Sequence, residues 1–351
     1  MKTCSTNAAF RAVFKVLITL SAIICASLLC LSTASADISR LDTFNYLMTS
    51  QKRPLVASEF VKLHTGLAKI GYGNSSSKGY FYDFSISPNF RYETNVNGGN
   101  PNNPLQLGRA VFLGDPELAK ISSTVMDING LFNMRFITTP GSYLSLNTHL
   151  QHTQSLETHH TANASSIGGC YYQLIATWKY FDFCNSYSSS EKEITQNKQQ
   201  ISSIALTNIY ETNENNSLMI SIGSTLQHQQ NFEQNQYFFR INSIGYSGYN
   251  PRLGVTLGEP KTGELVLRES ISGSLLLPIM QSRKVKLSAE ISNFRGGKIL
   301  GFNRDEQKLK FQFDVPITQK MSVSFGYFKN DSNIDYFDDE GPLLSATLLN
   351  F

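Results

Sequence analysis

Apolar and polar residues alternate with a period of two along most of the chain beyond residue 79. In "LKFQFDVPI", one face carries Leu309, Phe311, Phe313, Val315 and Ile317, and the other carries charged and amide side chains. Sustained alternation predicts β-strands that each have one apolar face. The pattern recurs in about 13 segments. They lie near 80–92, 122–137, 142–152, 170–183, 201–211, 217–227, 235–246, 251–258, 264–277, 284–295, 307–316, 320–329 and 342–351.

Two all-β architectures fit this pattern. A soluble sandwich or barrel buries its apolar faces, whereas a transmembrane barrel turns them towards lipid and keeps polar faces in the lumen. Segments of roughly 9–13 residues are longer than ordinary strands and long enough to cross a bilayer at a tilt. We therefore predict a transmembrane antiparallel up-and-down β-barrel. Its candidate lumen charges are Arg268, Lys286, Glu290, Lys308, Lys310 and Asp314.

Strand number follows from a parity rule. Single-chain bacterial barrels have an even number of strands, so we expect about 14, within a range of roughly 12–16. The added strand is predicted at "GRAVFLG", residues 108–114. This arrangement makes 153–169 a long connection on one side, unless 170–184 hides a hairpin. The long polar loops on the other side are then 93–106, 185–200 and 330–341.

Two cysteines lie beyond the N-terminal segment, Cys170 and Cys184. Whether they can pair depends on whether 170–184 is one strand or a hairpin. On one continuous strand they would lie about 46 Å apart, at ~3.3 Å per residue, and could not pair. In a hairpin they could form a disulfide. Since no Gly, Pro or Asn lies between them to make a turn, the sequence favours one strand and two free thiols.

Residues 1–36 have the layout of a secretory signal peptide. Basic residues precede an apolar run from Val16 to Leu31, and a small-residue cleavage site with Ala34 and Ala36 follows. The alternative is a retained membrane anchor, because the run approaches the length of a spanning helix. The segment carries three of the 30 Lys and Arg and none of the 27 Asp and Glu. The remaining chain is formally neutral, which argues against a nucleic-acid partner.

A helical lead at 37–78 is predicted to precede the barrel at 79–351. Apolar residues recur at helical spacing from Ile38 to Met48, and a second helix is predicted at 55–70 after the break at Pro54. "GNSSSKG" at 73–79 predicts a flexible joint. We expect the lead to lie in the periplasm, against the barrel mouth or plugging it. The alternative is the stub of a domain that docks a partner.

The chain ends in "PLLSATLLNF", with apolar residues at Leu343, Leu349 and Phe351 and polar residues at Ser345 and Thr347. With the alternating strands and the predicted signal peptide, this ending resembles Gram-negative outer-membrane β-barrel proteins. The resemblance implies integral insertion in the outer membrane, in contact with its lipid and lipopolysaccharide. It also implies an assembly signal at Phe351, Leu349 and Leu343 that the barrel-assembly machinery recognises.

A narrower resemblance lies at the two seams of the barrel. "SPNFRYETNVNGGN" at 87–100 and "YFKNDSNIDYFDDEGPLLSATLLNF" at 327–351 are similar to the first and last barrel segments of surface lipoprotein assembly modifiers. The resemblance implies a secreted or lipoprotein partner. The chain departs from that family because it lacks the long tetratricopeptide-type helical domain, which puts partner capture by that route in doubt.

Catalytic and metal motifs are weak. The sequence has no His-x-Ser, Ser-x-His, Gly-x-Ser-x-Gly or P-loop pattern. His149, His152, His159 and His160 cluster, and the loop from Asp331 to Glu340 is acidic, but solvated loops explain both more simply than metal sites. We expect no catalytic residue, no cofactor and no resident metal.

The sequence predicts a passive channel or export conduit without catalysis. One alternative is a translocator that helps a partner lipoprotein or polymer to reach the surface. A second is a closed structural or adhesive barrel with functional outer loops. The sequence does not choose a substrate, a partner or a pore state.

Overall fold

The computed structural model describes residues 38–73, 79–102, 104–212, 216–230, 232–245, 249–280, 283–318 and 320–348. The predicted cleavage site at Ala34 and Ala36 lies outside the described residues. So do most of the predicted joint at 73–79 and the terminal Leu349 and Phe351.

Two helices open the described chain, α1 (Ile38–Lys52) and α2 (Ala57–Lys69). Pro54 lies between them, where its missing N–H does not interrupt a helix. The Glu59 carboxylate accepts a backbone hydrogen bond from Val56 N at 3.2 Å and so caps the first turn of α2. Within the described residues, neither helix has the length and apolar character to span a membrane.

Sixteen strands follow within the part of the chain that the structure describes. Their bounds are β1 Tyr80–Glu93, β2 Leu105–Leu107, β3 Ala110–Phe112, β4 Ser123–Thr139, β5 Ser142–Ser155, β6 Thr161–Ala176, β7 Lys179–Glu191, β8 Gln196–Glu211, β9 Ser217–Gln229, β10 Glu233–Ile244, β11 Asn250–Gly258, β12 Val266–Met280, β13 Arg283–Ile299, β14 Phe302–Pro316, β15 Met321–Ser332 and β16 Asp339–Leu348. Short 3-10 turns occur at Pro116–Leu118 and Asp335–Phe337.

Fourteen of these strands close into an antiparallel up-and-down barrel, which confirms the predicted fold class. Each barrel strand pairs with the barrel strands before and after it in the chain, so that β1 pairs with β4, and β1 also closes the ring by pairing with β16. The predicted extra strand at 108–114 was wrong, because β2 and β3 form a separate small hairpin inside the connection 94–122. The fourteenth barrel strand comes instead from β6 and β7, which replace one predicted strand.

The prediction of free thiols was also wrong. β6 and β7 form a hairpin in which Cys170 and Cys184 are register partners and make a disulfide, with their Cα atoms 4.1 Å apart. The turn needs a left-handed residue, which is usually Gly or Asn. Here Trp178 adopts a φ of 55°, at a cost of about 1–2 kcal/mol. Its ring packs against Phe44 of α1 with centroids 5.0 Å apart.

The long loops predicted at 185–200 and 330–341 are mostly strand. β7 runs to Glu191, and β15 and β16 leave only residues 333–338 between them. The long connection predicted at 153–169 shrinks to residues 156–160. Alternation reports only the part of a strand that touches an apolar phase, so polar strand ends beyond it are indistinguishable from loops.

The barrel has two distinct ends. The near end holds the start of β1, the end of β16 and the two helices. The far end holds the longest connection, residues 94–122.

An apolar belt surrounds the barrel. Strands of 9–17 residues are long enough to cross a hydrocarbon layer, and closure leaves no unpaired sheet edge. A large exposed apolar residue lies on the outer face of every barrel strand: Phe84, Phe136, Leu150, Ile167, Phe183, Leu206, Ile222, Tyr237, Leu253, Ile271, Ile291, Leu309, Phe325 and Leu344. The chain therefore has the architecture of a membrane-spanning β-barrel, with an apolar outer belt and a polar lumen.

Candidate functional site: a partly filled lumen

The helical lead, residues 38–73, enters the near end of the barrel. Leu41 and Phe44 of α1 are 0% and 5% exposed. They pack with apolar side chains on the inner face of the wall, among them Ile209, Met219 and Ile244. Because these contacts come from β8, β9 and β10, α1 fills one side of the lumen rather than its whole width.

A buried ion pair anchors α1. The Arg40 guanidinium is fully buried and donates two hydrogen bonds to the Asp182 carboxylate of β7, at 3.0 and 2.9 Å. Thr207 donates a further bond to Asp182 at 2.8 Å. The guanidinium also lies over the rings of Tyr172 and Tyr180, 4.7 and 4.2 Å from their centroids. A bidentate, stacked geometry of this kind is what arginine supplies and lysine does not.

The end of the lead is fixed beside the disulfide. Ile70 is fully buried and packs with Tyr143, Tyr172, Cys170 and Cys184. Its carbonyl accepts a hydrogen bond from the Gly141 N–H at 2.7 Å. The lead therefore follows the inner face from β4 to β10.

Charges on that side of the lumen are paired. Arg91 Nε donates to Asp127 at 2.7 Å, and Asp127 also accepts from Asn89 and Thr153 at 3.0 and 2.6 Å. Lys192 Nζ lies 3.2 Å from the Glu93 carboxylate. We call the inner face of β1 and β4–β9 the paired wall.

The connection 94–122 crosses the far end. On one rim Asn97 accepts a hydrogen bond from Ile194 N at 3.1 Å. On the opposite rim Asn102 Nδ2 donates to the carbonyl oxygens of Asp335 and Asp338, at 2.9 and 2.7 Å. Leu105 and Leu107 pack there with buried residues that include Tyr336, and this burial raises the pKa of Tyr336 to about 12. The connection thus narrows the far mouth.

An open space of about 320 Å³ remains along the inner face of β10–β14. The polar side chains of its lining are Arg240, Asn242, Arg252, Ser272, Ser274, Lys286, Ser288, Glu290, Lys310 and Gln312. A second space of about 70 Å³ shares Glu290 and Lys310 and reaches Asn95 and Pro101 of the far connection. We call the inner face of β10–β14 the cationic wall.

Three of the predicted lumen charges, Lys286, Glu290 and Lys310, border the larger space. Asp314 lies 3.9 Å from Lys286 on the neighbouring strand. Lys308 is buried 3.9 Å from the Glu306 carboxylate and lies over the Phe294 ring.

The remaining predicted positions fall elsewhere. Arg268 lies at a β-bulge, where its Nε donates to the Gly258 carbonyl at 3.2 Å. Leu343 pairs with Gly326 on the lumen face of β16, whereas its neighbour Leu344 is on the lipid side.

Sequence reasoning missed Arg240 and Arg252. A signal was present, because both alternate with outward apolar residues, as Arg252 does with Leu253 and Val255. Extending the alternation rule through these two segments would have placed both guanidinium groups in the lumen.

The histidines that cluster in the sequence have different partners in the structure and do not form a common site. His149 lies on the lumen face near Asn129 Oδ1, at 3.4 Å, while His152 bonds to Asn163 at 2.8 Å and is exposed. His160 pairs with Glu193 in a loop contact. Among the described residues, no group of three or more His, Cys, Asp or Glu is placed to hold a metal ion.

No protein-family model and no curated protein matches the chain. Among solved structures, a BenF-like porin from Pseudomonas fluorescens Pf-5 is similar at 7% identity and a TM-score of 0.41, covering 77% of this chain and 99% of that one. OccAB3 from Acinetobacter baumannii gives 6% and 0.40, over 76% and 98%. OccK2 (OpdF) from Pseudomonas aeruginosa, in complex with glucuronate, gives 8% and 0.39, over 76% and 96%. Likeness at this level adds nothing to what the barrel itself shows.

Proposed function

We propose that the protein is a passive, non-catalytic channel of the outer membrane. The observation that carries the proposal is the open space along the cationic wall, which the lead leaves unfilled. The near end would face the periplasm and the far end the outside, as in barrels whose termini are periplasmic. Solutes would then pass between the lead and β10–β14, and under the connection 94–122.

The other predicted functions make different demands. A translocator for a lipoprotein or polymer needs a wider path, and so requires the lead to leave the lumen. A closed adhesive barrel predicts no conductance. The barrel-assembly machinery and lipopolysaccharide stay predicted partners.

The test is single-channel conductance in planar bilayers, for the full chain and for a variant without residues 37–78. Heat-modifiable migration in gel electrophoresis verifies that each barrel is folded. We expect stable steps from the full chain and larger steps from the deletion variant. Silence from both folded proteins would contradict the channel, and steps from the deletion variant alone would favour a gated translocator.

A further inference from the structure

The open space carries an uneven set of charges. Its lining contains four cationic side chains, Arg240, Arg252, Lys286 and Lys310, and one carboxylate, Glu290. The polar remainder is neutral and consists of Asn242, Ser272, Ser274, Ser288 and Gln312. A solute in this space therefore meets an excess of positive charge beside hydroxyl and amide groups.

Glu290 does not neutralise its neighbour. Glu290 and Lys310 are register partners on β13 and β14, yet the Glu290 carboxylate accepts its hydrogen bonds from Ser292 and Ser270, at 3.0 and 3.4 Å. Among the described residues, Lys310 makes no ion pair with a carboxylate. Lys286 has Asp314 only at 3.9 Å, which is longer than a charge-assisted hydrogen bond.

Arg252 is the second unneutralised cation. Its Nε is buried and has no hydrogen-bond partner among the described residues. The charge of Asp42 on α1 also acts on the Arg252 guanidinium. Register places Arg252 beside Asn242 and puts Gly254 beside Arg240, so two guanidinium groups occupy diagonal positions on β10 and β11.

Glycine makes room for these long side chains. A Cβ at Gly254 would lie 2.9 Å from Ser272 Oγ and 3.8 Å from Arg240 Cγ. The wall therefore carries no side chain at Gly254, beside Arg240 and Arg252, and the space stays open there. Its volume falls within the range of small-molecule sites, roughly 300–1,000 Å³.

Building on the proposed channel function, we propose that this space selects and transiently binds small organic anions that carry two or more carboxylate or phosphate groups. Guanidinium groups bind such oxyanions through two parallel hydrogen bonds, and lysines add point charges. A cleft lined by one sign of charge raises the local concentration of counter-ions by about 10–10³-fold. Transient binding suits conduction, because the solute must also leave.

The test uses protein purified from outer membranes in a planar bilayer with a KCl gradient. We expect the reversal potential to shift towards the equilibrium potential of chloride, which indicates anion selectivity. Citrate and inorganic phosphate should block the current, and maltose should not. The variant R252Q/K310Q should lower the anion-to-cation permeability ratio by about tenfold and weaken block by citrate. The matched control R295Q/K198Q makes the same chemical changes on the outer surface, where Arg295 is exposed and pairs with Glu269, and should change neither reading.

The outcomes separate the two proposals. Absence of steps from a folded wild-type barrel would overturn the channel itself. Steps with cation preference, block by maltose equal to that by citrate, or a permeability ratio unchanged in R252Q/K310Q would overturn anion selection while leaving the channel in place. Block by citrate alone supports organic polyanions, and block by both anions supports a site for oxyanions of either origin.

Discussion

Around the larger open space, the cationic wall treats charge in the opposite way to the paired wall, although elsewhere it too holds a buried pair, Arg304 with Glu306. On the paired wall, Asp182 accepts two hydrogen bonds from the fully buried Arg40 of α1, and Arg91 is bonded to Asp127. On the cationic wall, no ion pair joins Arg252 or Lys310 to a described carboxylate. The walls belong to one sheet with one strand geometry, so the difference does not come from the backbone.

The difference follows from what covers each wall. The lead removes water from the paired wall, where a buried charge without a partner costs several kcal/mol. Pairing is therefore required for the lead to dock. The cationic wall borders open space, where water or a mobile anion solvates an unpaired cation. The distribution of unpaired charge thus marks the side of the lumen along which solute can move.

The largest effect is expected from breaking the pair on the paired wall. In D182N the side chain keeps its shape but leaves Arg40 buried without a counter-charge, a loss of about 3–5 kcal/mol. We expect the lead to leave the lumen while the barrel stays folded. Single-channel conductance should rise, and trypsin should cleave after Lys52.

Two variants serve as controls for this change. D331N removes the partner of Lys329 in an exposed pair, which contributes roughly 0–1 kcal/mol, and should leave conductance unchanged. R40Q/D182N removes both charges and should be more stable than D182N alone. Wild-type conductance from D182N would mean that the pair does not hold the lead.

The second largest effect is expected from removal of the disulfide, which lies in the paired wall and should lower the stability of the barrel. Cys170 and Cys184 are separated by 14 positions, for which loop-closure entropy gives about 3 kcal/mol. In C170S/C184S we expect a lower urea midpoint for the barrel and unchanged anion selectivity, because the cationic wall is untouched. Reduction of the wild-type protein should reproduce the shift. A change in reversal potential would show that the walls are coupled.

The hairpin that holds this disulfide shows how far the sequence could lead. The alternation of apolar residues was sufficient for the barrel, and helical spacing was sufficient for both helices. The alternation gave only about 13 strands, and the fourteenth, which an even count required, was placed at 108–114 instead of at β6–β7. It failed at β6–β7 because the turn uses Trp178 at positive φ. The packing of Trp178 on Phe44 offsets the strain of that conformation. This contact joins residues more than a hundred positions apart, so no local pattern could reveal it.

The site was predictable to a smaller extent. The alternation of inward and outward side chains along each strand predicted Lys286, Glu290 and Lys310 in the lumen. The same rule would have found Arg252 had it been applied to that strand. Which charges are neutralised was not predictable. Arg40 and Asp182 meet only because the lead folds into the barrel, and that docking depends on contacts across the whole sheet.

A third prediction compares two turns with the same strain, one at each wall. Trp178 and Leu300 both have positive φ, 55° and 48°, but Leu300, in the β13–β14 turn, is 53% exposed. L300G should therefore stabilise the barrel by up to about 1 kcal/mol, since only strain is removed. W178G should destabilise it, because the contact with Phe44 is lost. W178A should be worse than W178G by about 1 kcal/mol, and equal urea midpoints for the two would rule out strain at this turn.

The smallest effect comes from a second arginine–carboxylate pair on the lead itself. Arg53 donates two hydrogen bonds to Glu59, at 2.8 and 2.7 Å, so its geometry matches that of Arg40 with Asp182, but the pair is partly exposed. The hydrogen bonds from Arg53 hold the pKa of Glu59 below its ordinary value. This contribution, roughly 0.5 kcal/mol, is present above the unfolded pKa of about 4.3 and is lost as pH falls through the lower, folded pKa.

Hydrogen exchange of the first turn of α2 between about pH 3 and pH 6 measures this loss, after correction for intrinsic exchange rates. In E59Q the protection should no longer depend on pH across that window. Protection that falls with acid equally in both proteins would assign the pH dependence to another group. The Arg53–Glu59 and Arg40–Asp182 pairs share a bidentate geometry and differ in their access to water. A small effect of E59Q beside a large effect of D182N would therefore show that burial, and not bidentate geometry, makes the Arg40–Asp182 pair hold the lead in the lumen.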